Sequence, residues 1–345
     1  MSSAIQYFDS PQPFSLESGD TLPTLRIAYQ TFGKLNAQQD NVIWVCHALT
    51  GNTEIDDWWS GLFGANNVFD PDQYFIVCAN MLGSCYGSTD ALHINPATGT
   101  SWYHNFPPIT NRDMVSAFDM LRQHLGIRSI YLITGGSMGG QHALEWAISS
   151  PTLFRYLVPM ATNAWHSPWG IAFNESQRMA IEADPSWQTA TADAGLIGLR
   201  AARATAMISY RSYETYQQTQ TEEDINKTDQ YKASSYQQYQ GLKLSKRFHT
   251  FAYWTLSKAM DSHHVGRNRG GAVPALAHIQ ANTLVIGISS DSLFPIHEQV
   301  YLAEHIPQAK LNIIDSLYGH DGFLIEFEPI KRAVQSFLKD SPVTA

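Results

Sequence analysis

The stretch YLITGGSMGGQHALEWA, residues 131–147, constrains this chain more than any other. An apolar, β-branched run meets Gly135-Gly136-Ser137-Met138-Gly139 and passes at once into a helical pattern. A buried strand can turn into a helix this sharply only where the corner lacks side chains. Gly135 and Gly139 are therefore expected to remove the Cβ atoms that would collide. The serine between them is held in a strained conformation, with its oxygen projecting from the carboxyl end of the sheet. It stands above a helix N-terminus, where the macrodipole favours developing negative charge. Three fixed positions of G-x-S-x-G recur easily by chance. The strand directly before and the helix directly after make Ser137 a candidate nucleophile.

Further runs of the same kind are NVIWVCHALTG, YFIVCANMLG, LFRYLVPMAT, NTLVIGISS and KLNIIDS. Short apolar runs rich in β-branched residues and ending in Gly or Ser suit strands buried on both faces. The helical patterns RDMVSAFDMLRQHLG and MGGQHALEWAIS lie between several of them, which predicts a mostly parallel α/β sheet flanked by helices. The first fifty residues read as strands with turns, including a Ser-Gly-Asp turn. The interval 165–275 reads differently, as the helices NESQRMAIEA, GLIGLRAARATAMISY and FHTFAYWTLSKAM. The segment 216–240, YQQTQTEEDINKTDQYKASSYQQYQ, is too polar for a core and reads as a solvated loop or helix surface. The expected organisation is a sheet core from 1–164 and 276–345, with 165–275 inserted as a helical cap.

Composition bounds the function classes. A net charge of -9 argues against a nucleic-acid partner, because phosphate binding needs a basic surface. The start, MSSAIQYFDSPQPF, lacks the charged and apolar regions of a signal peptide. No apolar stretch approaches the ~18 residues of a membrane span. Cys46, Cys78 and Cys85 lack zinc-ligand spacing, so no metal is expected. These features together predict a cytoplasmic protein.

A serine hydroxyl needs a base to take its proton, and a histidine base needs a carboxylate to orient it. Following a serine corner, the chain order is Ser, then Asp or Glu, then His, with both partners just past strand ends. Asp291 follows the NTLVIGI run and His320 lies four residues beyond KLNIIDS, so both fit. Asp315, read as lying within its strand, is the rival acid. Among histidines, His47 precedes the serine and suits the oxyanion region instead. His93 and His104 lie in an earlier loop, and His263-His264 in the helical interval. An oxyanion hole needs two backbone N–H groups: Met138 after the serine, and Leu49 in HALTGN, with Thr50 next.

Several blocks extend the pattern beyond the corner: CHALTGN, NMLGSCYGSTD, FPPITNRDMV, GGSMGGQHALEWA, NESQRMAIEADPSW, ARATAMISYRS, YQQYQGLKLSKRF and YGHDGFL. With these, the chain resembles the homoserine O-acetyltransferase family of α/β-hydrolase-fold acyltransferases over about residues 40–325. The resemblance implies Ser137 as nucleophile, His320 as base and Asp291 as its orienting acid, which agrees with the reading from strand ends. It further implies Arg203 for the carboxylate of homoserine, Tyr210 nearby, and Asp321 for the ammonium. A zwitterion needs both charges, and a planar guanidinium suits a carboxylate. Acetyl-CoA is implied as co-substrate, with no permanently bound cofactor, in methionine biosynthesis, and a homodimer is implied through the cap. The chain departs from the pattern at Asp90, Asn111, Gln141-His142 and His263-His264. Relatives use succinyl-CoA or accept serine, and an esterase or thioesterase of the same fold shares the serine chemistry.

Overall fold

The computed structural model describes residues 4–340. Its main sheet has eight strands: β1 Gln6–Asp9, β2 Arg26–Phe32, β3 Val42–Cys46, β4 Phe75–Ala79, β5 Ile130–Gly136, β6 Phe154–Met160, β7 Asn282–Ile288 and β8 Lys310–Ile314. They lie in the order β1-β2-β4-β3-β5-β6-β7-β8. The pairs β1–β2 and β2–β4 are antiparallel, and every pair from β4 to β8 is parallel. All six apolar runs form strands. Strand β5, which ends in the serine corner, sits between β3 and β6, so the corner falls mid-sheet.

Nine helices matter to the argument: α1 Asn111–His124, α2 Met138–Ser149, α3 Pro168–Glu182, α4 Leu196–Tyr210, α5 Tyr213–Gln220, α6 Lys232–Ser245, α7 Thr250–Asp261, α8 Ile296–His305 and α9 Phe327–Asp340. The period-2 alternation of the strands divides the core between two sheet faces. Trp44, Cys46 and Ile133 pack with Phe118 of α1 and Leu144 and Trp146 of α2. Ile43, Val45 and Leu132 face the other way and meet Val334 and Phe337 of α9. Helix α1 begins at a capping box, in which Thr110 and Asp113 each bond the other's backbone amide.

Helices α3 to α7 all lie between β6 and β7, where the sequence departs from the sheet pattern. The polar segment 216–240 holds the end of α5 and much of α6, with irregular chain at 221–231. Helix α6 buries only Gly241 and Leu244. Its polarity therefore reflects a mostly solvated surface. No helix among the described residues is long and apolar enough to cross a membrane. Among them no group of three or more His, Cys, Asp or Glu is placed to hold a metal ion.

Candidate active site

The backbone at Ser137 is bent to φ 57° and ψ −125°, between β5 and α2. Non-glycine residues rarely take positive φ, and the surroundings hold this one in place. The Ser137 amide donates to the Met160 carbonyl at 3.0 Å. Its carbonyl accepts from the Thr162 hydroxyl at 2.8 Å and the Gln141 amide at 3.1 Å. A Cβ on Gly139 would lie 2.1 Å from the Cys46 carbonyl oxygen, and one on Gly135 2.6 Å from the same atom. Both glycines are thus required by the close approach of β3, as the sequence implied.

Asp291 sits in the loop after β7, and His320 in a short turn after β8. His320 Nδ1 donates to Asp291 Oδ2 at 2.7 Å, with both side chains almost wholly buried. The other carboxylate oxygen accepts the amides of Leu293 at 2.9 Å and Phe294 at 2.8 Å. Those donors fix the direction of the carboxylate. The Phe294 ring stacks on the imidazole at 4.9 Å between centroids. With Nδ1 committed to the aspartate, Nε2 keeps its lone pair for a proton. The two loops are stitched together by Gly319 N to Ser290 Oγ at 2.9 Å and Ser316 N to Ser289 Oγ at 3.0 Å. Asp315, read as lying inside its strand, is instead the first residue beyond β8. It accepts the Ser289 hydroxyl at 3.0 Å, so it braces the loops rather than the imidazole.

Leu49 and Met138 are both buried, Leu49 in the turn after β3 and Met138 at the first position of α2. Neither backbone amide has a protein acceptor among the described residues. His47 holds that turn: its Nδ1 donates to the Ala48 carbonyl at 2.9 Å, and its Nε2 accepts the Met81 amide at 3.3 Å. Burial pushes its pKa down to about 4, so the ring is neutral and serves as a brace. The other rival histidines also have local partners. His93 bonds Asp90 at 2.9 Å, His104 packs against Trp187 and Phe251, and His263 bonds the Asn163 carbonyl at 3.1 Å.

Arg203 projects from α4 with its guanidinium 5.2 Å from the Tyr210 ring centroid. It lines a cavity of about 400 Å³ together with Ala48, Thr50 and Gly51 of the turn after β3. The Tyr210 ring lies 5.8 Å from that of His320. Asp321, next to His320, has its Oδ2 2.7 Å from Arg211 Nε. Burial raises the Asp321 pKa, while Arg211, Arg203 and His320 oppose the rise. The sequence reading missed Arg211, although it stands in the ARATAMISYRS block. The signal was available in principle, because a mostly buried carboxylate needs a nearby cation.

The loop carrying His320 is fastened to the start of α5. The hydroxyls of Ser212 and Thr215 both donate to the Leu317 carbonyl, the latter at 2.6 Å. A Cβ on Gly319, at φ +66°, would meet Ser212 N at 2.8 Å. The inserted helices and the imidazole are therefore positioned together.

This sheet order, with a serine at a strand-to-helix corner and an Asp–His pair beyond later strands, defines an α/β-hydrolase-fold protein. Residues 41–327 match that family. The chain belongs, more narrowly, to the homoserine O-acetyltransferase family. A homoserine O-acetyltransferase of Cyclobacterium marinum is 50% identical over 332 residues, 96% of this chain and 94% of that protein. The crystal structure of homoserine O-acetyltransferase from Bacillus anthracis superposes with a TM-score of 0.91 over 100% of both chains, at 22% identity. The crystal structure of esterase E22 gives 0.89 at 21% identity, covering 97% of this chain and 99% of that one. At such low identity these two structures speak to fold alone.

Proposed function

We propose that this chain transfers an acetyl group from acetyl-CoA to the hydroxyl of L-homoserine through an acetyl-Ser137 intermediate, in methionine biosynthesis. The observation that carries this reading is the Asp291–His320 hydrogen bond of 2.7 Å beside the Ser137 corner, with Arg203 and Asp321 close by. His320 Nε2 takes the Ser137 proton as the oxygen attacks the thioester carbon. The amides of Met138 and Leu49 hold the oxyanion. The carbon–sulfur bond then breaks, and the proton passes from His320 to the departing CoA thiolate. In the second half-reaction His320 takes the homoserine hydroxyl proton, and that oxygen attacks the acyl carbon. Ser137 leaves with the proton, which restores the enzyme and releases O-acetylhomoserine. Acetyl-CoA is a co-substrate, and these steps need no permanently bound cofactor. The kinetics are ping-pong.

Arg203 receives the homoserine carboxylate, with Tyr210 packed against it, and Asp321 receives the ammonium. Arg211 favours the ionised form of Asp321, against the burial that raises its pKa. Arg203→Ala removes charge-assisted bonds worth ~3 kcal/mol, so the KM for homoserine rises about 100-fold. The KM for acetyl-CoA changes less than about threefold. Initial rates with each substrate varied in turn check this; equal effects on both would take Arg203 out of the acceptor site.

Residues 165–275 act as a cap that limits water at the acyl-enzyme, and also as the surface of a homodimer. Helix α4 exposes Ile197, Ala201 and Ile208 on one side, at the spacing of a helical stripe. Changing Ile197 and Ile208 together to Glu should give a monomer in sedimentation velocity, whereas the unmodified protein sediments as a dimer. A dimer that survives both changes would place the interface elsewhere. The cytoplasm, where acetyl-CoA is available, is the proposed location.

A further inference from the structure

Three buried amides run head to tail beneath the nucleophile helix and end on a carboxylate. Asn111 Nδ2 donates to Gln141 Oε1 at 3.1 Å, and Gln141 Nε2 donates to Asn163 Oδ1 at 3.0 Å. Asn163 Nδ2 then donates to Glu298 Oε2 at 3.0 Å. All three amide residues are at most 3% exposed. Apolar side chains would fill this space at lower risk, because a half-satisfied buried network is costly. Asn111 and Gln141 are two of the positions at which the sequence departs from the related pattern, and they bond to each other.

The ends of the chain lie at informative places. Gln141 is one helical turn past Ser137, and its own amide bonds the Ser137 carbonyl at 3.1 Å. Glu298 is in the first turn of α8, the helix that follows the Asp291 loop. Its neighbour Gln299 makes a parallel tie, donating to the Thr162 carbonyl at 2.7 Å. The Thr162 hydroxyl in turn reaches the Ser137 carbonyl at 2.8 Å. Two hydrogen-bonded routes thus join the serine corner to the element launched from the orienting acid.

We infer that Glu298 is a positioning residue for acyl transfer, holding the nucleophile helix in register with the Asp291 loop through Asn163 and Gln141. The inference rests on the reading of Ser137 as the acyl-forming nucleophile. Glu298 does not touch the reacting atoms; it fixes the distance between two elements that must stay aligned. Small misplacements of such groups lower rates strongly.

Glu298 also titrates in a useful range. Burial, reinforced by the charge of Asp291, pushes its pKa up to about 7, against the Asn163 and Ser167 hydrogen bonds and the His320 charge. From its own helix, His297 and Tyr301 share with it a cavity of about 270 Å³. Behind Asn163, His263 has its pKa pushed down to about 3 by burial and stays neutral. Because the raised value belongs to a carboxyl group, the ionised form that ends the amide chain is lost as pH falls through about 7.

The test uses the intact protein and the burst of p-nitrophenol from p-nitrophenyl acetate, which reads Ser137 acylation without CoA or homoserine. Glu298→Ala lowers the burst rate about tenfold with little change in ester affinity. Glu298→Gln, which keeps an acceptor for Asn163, restores the rate to within about threefold at pH 8. The acid limb of its pH profile lacks the roughly threefold step near pH 7 that protonation of Glu298 gives the unmodified protein. An Ala variant as fast as the unmodified protein, or a Gln variant with the original acid limb, would overturn the inference. If the Ala variant fails to fold, the pH profile of the Gln variant decides alone. A missing burst in the unmodified protein would instead overturn Ser137 itself.

Discussion

Replacing Ser137 by alanine abolishes the acetyl-enzyme and lowers turnover by roughly a million-fold, the scale seen when a serine nucleophile is removed. The fold should survive. The Ser137 hydroxyl caps no amide of its own helix, and the corner is held by backbone bonds to Met160, Thr162 and Gln141. Thermal unfolding of the variant should therefore match that of the parent closely. Gly139→Ala makes the contrasting case, because its new Cβ would lie 2.1 Å from the Cys46 carbonyl and force the backbone apart. Peptide mass spectrometry after exposure to acetyl-CoA reads the Ser137 prediction directly. An acetyl group retained on another residue in Ser137→Ala would contradict the assignment.

The second large effect is expected at Asp291. Asp291→Asn keeps an oxygen for the Leu293 and Phe294 amides, so the loop should hold its shape. What changes is the group facing His320 Nδ1. An amide NH2 in that place forces the proton onto Nε2 and leaves no base for Ser137. Loss of the correct tautomer costs about 10,000-fold in kcat in a comparable triad. The KM values for both substrates should stay within about threefold, since neither ligand contacts this carboxylate in the proposed mechanism. Retention of more than about a tenth of the activity would show that another acid orients the imidazole.

How much could be read in advance varies with how local the cause is. The corner was legible because close backbone approach excludes side chains at particular positions, and glycine records that exclusion. The pairing of Asp291 with His320 was legible because both follow strands whose apolar runs are unmistakable, and strand ends converge in a parallel sheet. Asp315 was misplaced by only one residue, since a strand's last residue is not marked by its chemistry. The need for a cation beside Asp321 was legible, but its identity as Arg211 was not. The pair joins residues 110 positions apart, and nothing periodic connects them. The amide chain ending on Glu298 was hidden for the same reason. Asn111, Gln141 and Asn163 stand on different elements, and a single buried amide carries no signature until its partner is seen. The polar segment 216–240 was read correctly as lying outside the core. Loop and helix surface both stayed open for it, because Gln, Lys and Tyr at solvated positions leave only a weak apolar stripe.

The fold is shared by proteins described as acetyltransferases and esterases, so acyl-enzyme formation alone does not distinguish transfer from hydrolysis. The difference lies in which acceptor reaches the acyl carbon. Arg203, Tyr210 and Asp321 are the proposed means by which an amino acid outcompetes water, through a high effective concentration at the site. The most direct measurement is the rate of CoA release from acetyl-CoA by the purified protein, with and without L-homoserine, alongside mass analysis of the product. The account predicts release that depends on homoserine and one O-acetylhomoserine formed per CoA. Release that proceeds equally without homoserine, yielding acetate, would contradict it.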